Sequence, residues 1–138
     1  MKKLFILLIS LLMLTSCRDE IETDSLYGFF EVKNPDQLDI PRDSVLVIRS
    51  LKEYKALTGK LAEQLPINFT KRNVLLVKGT SPNLISQMEY GFDRTHATLH
   101  VTVRESLATA LQPWALLYAI DRDDCPDQVT LHVEYIKP

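Results

Sequence analysis

The sequence predicts an α+β domain, a mainly antiparallel β-sheet of about five or six strands with one covering helix. Three observations carry this expectation. Leu99, Val101 and Val103 alternate with His100, Thr102 and Arg104, and Val129, Leu131, Val133 and Tyr135 alternate with Thr130, His132 and Glu134. That is the period of strands with one dry and one wet face. Short apolar runs at Val45–Ile48, Val74–Val77 and Trp114–Ile120 suit buried strands, and a single helical stripe lies between the first two.

Before the domain comes a different kind of segment. Lys2 and Lys3 precede an apolar run from Leu4 to Leu14 that is interrupted only by Ser10. This is the shape of a secretory signal. As a helix those eleven residues rise about 16 Å, too little for a hydrocarbon core of about 30 Å. The run closes on Leu14, Thr15, Ser16 and Cys17, which resembles the bacterial lipobox. The resemblance implies a signal peptide over residues 1–16, a lipid on Cys17, and anchoring without a spanning helix. Residues 17–26 read as a lipidated, mainly acidic tether, and residues 27–138 as a single α+β domain. The expected address is the outer membrane of a bacterium, on its periplasmic or cell-surface face.

Along the domain, Leu26, Tyr27, Phe29, Phe30 and Val32 suggest a first strand, interrupted by Gly28, Asn34 and Pro35. Val45–Ile48 follows as a β-branched strand. Ser50 and Glu53 fit a capping box, in which the serine accepts from an early backbone N–H and the glutamate reaches back to the cap. Leu51, Tyr54, Leu57, Leu61 and Leu65 then recur on one helical face, Gly59 threatens the helix, and Pro66 ends it. Val74–Val77 leads through Gly79 to a loop at Thr80–Asn83, and Leu84–Phe92 reads as the next strand. The Leu99–Val103 strand, the run after Pro113 and the Val129–Tyr135 strand complete the set. The Trp114–Ile120 run is long enough for a strand buried on both faces.

Composition narrows function. The 138 residues hold 16 basic and 18 acidic side chains, and loss of Lys2 and Lys3 leaves a net charge of -4. That balance disfavours nucleic acid as a partner. Only four glycines are present, with no phosphate-binding P-loop, no G-x-S-x-G and no H-E-x-x-H, so no cofactor and no enzymatic activity are expected. Cys125, beside Asp123, Asp124 and Asp127, has surroundings that disfavour a thiolate nucleophile. Asp93, Glu105 and Glu134 are the acids available for a hydrolytic pair, which requires a spacing that sequence does not give.

Two clusters have ligand-bearing side chains. Asp121, Asp123, Asp124 and Asp127 gather four carboxylates in one turn, the chemistry of a calcium loop, yet Cys125 and Pro126 occupy positions where such a loop needs an acid and a glycine. A solvated acidic turn accounts for the same residues. His100, His132 and Glu134 share the wet side of their strands and would supply a zinc-type set if those strands were neighbours. His96 lies in the polar Asp93–Thr98 connection. Trp114 and Tyr118 are either a ligand platform or core. The Thr80–Ser86 and Glu105–Gln112 loops are the places where recognition is expected.

The order of these elements, with Ile67, Asn68 and Phe69 leading into Val74–Val77 and with Gln112, Pro113 and Trp114 before the last strands, resembles small Bacteroidetes lipoproteins. It is also distantly similar to the C-terminal domain of PrcB lipoproteins, which are associated with assembly of a surface protease complex. The likeness runs over residues 45–136, and Thr80–Asn83 stand where that domain shows a glycine pair. It implies a non-catalytic, membrane-anchored module that binds or stabilises an envelope protein. The competing expectation is a small-ligand or calcium-binding domain, and a third is an envelope hydrolase.

Overall fold

A computed structural model describes residues 27–138. The signal segment, Cys17 and the acidic tether lie outside the described residues. Seven strands form two sheets: β1 (Gly28–Glu31), β2 (Val45–Ile48), β3 (Arg72–Ser81), β4 (Ile85–Asp93), β5 (Thr98–Glu105), β6 (Gln112–Asp121) and β7 (Thr130–Ile136). The larger sheet has the order β1-β6-β3-β2 and is antiparallel throughout. The smaller has the order β4-β5-β7.

The expected α+β class and mainly antiparallel pairing hold, with seven strands rather than five or six and with two further departures. There are two sheets, and β7 runs parallel to β5 while β4 runs antiparallel to it. The cause is topological. The chain leaves the small sheet after β5, runs back through the large sheet as β6, and returns as β7 with its direction reversed twice. Strand alternation reads which face is dry but says nothing of direction.

The helix is also divided. Helix α1 spans Leu51–Thr58 and α2 spans Leu61–Gln64. Ser50 caps α1 by accepting from the Glu53 N–H at 3.2 Å. The Glu53 carboxylate reaches the N–H of Arg49 at 3.5 Å rather than that of the cap residue. Gly59 takes φ +55°, a left-handed conformation that ends α1 at low steric cost. The Tyr54 hydroxyl rejoins the two pieces by donating to the Leu65 carbonyl at 2.7 Å.

Three layers result. On one face of the large sheet Val74, Leu76, Leu117 and Ala119 pack with Tyr54, Leu61 and Ala62 of the helices. On the other, Val77, Trp114 and Leu116 pack with Leu99, Val101 and Val103 of the small sheet. Strand β6 therefore has apolar neighbours on both sides, and Trp114–Ile120 is buried throughout. Pro113 is tolerated in this strand for a local reason. Ala115 accepts from Val32 on the β1 side, so alternate residues of β6 face that edge, and Pro113 falls beyond the end of β1 where no ladder N–H is required.

The strand directions sort the loops to two ends. The end where the chain enters at Tyr27 carries the Arg94–Ala97 turn and the 122–129 connection. The opposite end carries the 82–84 and 106–111 connections.

Candidate functional site

The end remote from Tyr27 holds the most exposed apolar side chains of the described residues. Between Glu105 and Asp121 the chain has no charged residue. Leu107 and Leu111 are 86% and 74% exposed, and Leu84 of the neighbouring connection is 40% exposed. Burial of such side chains contributes about 1.5–3 kcal/mol each.

These loops are fastened rather than loose. Leu84 donates to Ala108 at 3.0 Å and accepts from Ser106 at 2.7 Å, which splices the two connections. Beneath them Glu105 is buried, its carboxylate accepting from Asn83 Nδ2 at 3.3 Å and lying 3.5 Å from Ser81 Oγ. Ser81 Oγ also donates to the Asn83 carbonyl at 2.6 Å. Gln112 Oε1 accepts from the Ile85 N–H at 2.8 Å. A satisfied polar base under an apolar tip holds the tip in one shape, which lowers the ordering cost of binding. Beside it a groove of about 470 Å³ is lined by Lys33, Ser86, Met88, Gln112 and Trp114 among others. Both loops singled out in the sequence thus meet at one end, whereas the exposure of Leu107 and Leu111 was not foreseen. The missed signal is the uncharged stretch Ser106–Leu111.

Trp114 and Tyr118 belong to the core. The Trp114 indole is 3% exposed and donates from Nε1 to the Tyr135 hydroxyl at 3.2 Å. Tyr118 stacks on Phe29 at 4.1 Å, and burial pushes its phenol upward from the ordinary value.

The acidic turn lies at the other end and faces arginines. Arg72 Nε is 3.4 Å from Asp121 Oδ1 without hydrogen-bond geometry, Arg94 is 3.4 Å from Asp124, and Arg49 is 3.9 Å from Asp127. Arg49 also donates to the Pro126 and Asp127 carbonyls. Asp123 has no comparable partner among the described residues. Three of the four carboxylates are therefore directed at cations already in the chain. Cys125, in the same turn, is half-buried and forms no disulfide among the described residues.

The three acids weighed as a hydrolytic pair are dispersed. Asp93 pairs with Thr98 at one end of β5 and Glu105 closes the other end, about 23 Å away along the strand. Glu134 lies on the opposite face of the small sheet from Glu105. Asp93 instead organises its turn, accepting from Thr95 and His96 backbone N–H groups and from His96 Nδ1 at 2.7 Å. Those bonds from His96 hold its carboxyl below the usual range.

Of the zinc-type set, His100 and His132 are in direct register across β5 and β7, with ring centres 5.5 Å apart. Glu134 aligns with Thr102, one row along. No three His, Cys, Asp or Glu side chains among the described residues converge as a metal cluster. No family model, no curated protein and no solved structure matches the chain.

Proposed function

We propose that this chain is a lipid-anchored envelope module that binds another protein through the Leu84, Leu107 and Leu111 tip, without catalysis. The observation that carries the reading is the tip itself: leucines more than 70% exposed at positions 107 and 111, on loops held by the buried Glu105 base. Random surface leucines are ordinary, but a fixed uncharged cluster of them suits a protein interface core.

The tip lies at the end of the domain remote from the tether, which leaves it accessible to a protein partner. The chain enters beside Ala119 of β6, while the tip adjoins Gln112, about 23 Å away along that strand. Nine residues lie between Cys17 and Tyr27, and the ten steps of chain reach at most about 36 Å. A lipid on Cys17 would keep the entry end within about 36 Å of the membrane and leave the tip free to face away from it.

The test is cross-linking in cells, then affinity purification from detergent-solubilised membranes. We compare the natural chain, Cys17→Ala, and the double variant Leu107→Ser with Leu111→Ser. One stoichiometric envelope protein is expected with the natural chain, lost in the double variant and lost on mislocalisation of Cys17→Ala. Recovery of the natural chain alone, or an undiminished partner with the double variant, overturns the reading.

A further inference from the structure

We propose that His100 and His132 form a two-imidazole site for a divalent transition-metal ion on the outer face of the small sheet. The inference does not depend on the tip or on the lipid. Parallel pairing of β5 with β7 places the two residues side by side on one face, and both are exposed. Their rings meet at 63° with centres 5.5 Å apart. Two imidazoles ligating one tetrahedral ion through nitrogens at about 2.0–2.1 Å have ring centres about 5 Å apart, so the observed 5.5 Å needs only a small side-chain rotation.

The surroundings leave that rotation open. Among the described residues neither ring has a hydrogen bond or ion pair, in contrast to His96, whose Nδ1 is held by Asp93. The residue across β4 from His100 is Gly91, which has no side chain and open space where a Cβ would stand. One flank of the pair is therefore free for an ion and its waters. In the next row Glu89 is engaged by Arg104 at 3.3 Å, whereas Glu134 has no ion-pair partner among the described residues. The Glu134 carboxylate lies two residues along β7 on the same face, about 7 Å from His132 between Cα atoms, where it attracts a cation and reaches it through water.

With two nitrogen ligands and the remainder from solvent, the site favours metals in the Irving–Williams order, Cu²⁺ ahead of Ni²⁺ and Zn²⁺.

The experiment titrates Cu²⁺ into the full chain in detergent at neutral pH, read by calorimetry and by electron paramagnetic resonance. One ion per chain is expected, with coupling to two nitrogens. His100→Ala and His132→Ala should each weaken binding at least tenfold, and His96→Ala should leave it unchanged. Nuclear magnetic resonance gives a second readout that needs no variant: substoichiometric Cu²⁺ should broaden the amides of Gly91, His100 and His132 before those of the 93–97 turn. No binding up to 1 mM Cu²⁺, binding in either alanine variant as tight as in the natural chain, or broadening centred on the turn overturns the proposal.

Discussion

The Trp114 indole lies flat across Gly79, its register partner on β3, so closely that a Cβ at position 79 would stand 2.6 Å from Cζ2. The glycine is needed for space, since its backbone is an ordinary strand. An alanine there should cost about 1–3 kcal/mol by overpacking against a ring that cannot swing away, measured by urea unfolding. Gly91→Ala is the contrast, because open space surrounds that position. It should be neutral or stabilising by up to about 1 kcal/mol. Equal effects at both sites would show that the indole is not what restricts residue 79.

Ala97 holds φ +48° in the turn between β4 and β5, and its carbonyl accepts from Thr130 at the start of β7. An L-residue with a Cβ is strained in that region. Ala97→Gly should therefore stabilise the domain by about 0.5–1 kcal/mol, visible as a higher melting temperature. A lower melting temperature would refute the strain.

Burial pushes the Tyr54 phenol well above its ordinary value, and the Tyr118 and Tyr135 phenols rise for the same reason. The sign follows from proton counting. Above pH 10 the unfolded chain has lost phenolic protons that the folded chain keeps, so stability falls as pH rises from there, and the contribution is complete below pH 10. Tyr54→Phe should cost about 1–3 kcal/mol at neutral pH, by orphaning the Leu65 carbonyl, and should flatten the alkaline decline. An unchanged alkaline slope would assign that decline to other groups.

Millimolar Ca²⁺ should leave the melting temperature unmoved. Arg72, Arg94 and Arg49 already face Asp121, Asp124 and Asp127, and an ion would have to displace them. A rise in melting temperature that vanishes in Asp121→Asn with Asp123→Asn would restore the calcium reading.

Face and burial were legible in the sequence, and neighbours were not. The alternation at Leu99–Arg104 identified the dry side of β5, and the uninterrupted Trp114–Ile120 run identified a strand covered on both faces. Both are one-dimensional consequences of the β period. Ser50 was readable as a cap because its oxygen bonds three residues away. The division into two sheets, the parallel β5–β7 pair and the meeting of His100 with His132 depend on which sheet β6 joins. That choice is made by packing across the whole domain. The tip was half legible, since the two loops were located while the splice through Leu84 rests on backbone bonds that any residues could make.

The pairing of Thr98 with Thr130 spans 32 residues and encloses all of β6, a strand that belongs to the other sheet. Such a contact pays a large closure entropy, and the intervening strand must dock before the last one finds its place. The small sheet thus has no life as a separate foldon. During synthesis β5 waits with one edge open until β7 emerges, and the domain gains its full cooperativity only once that strand has docked.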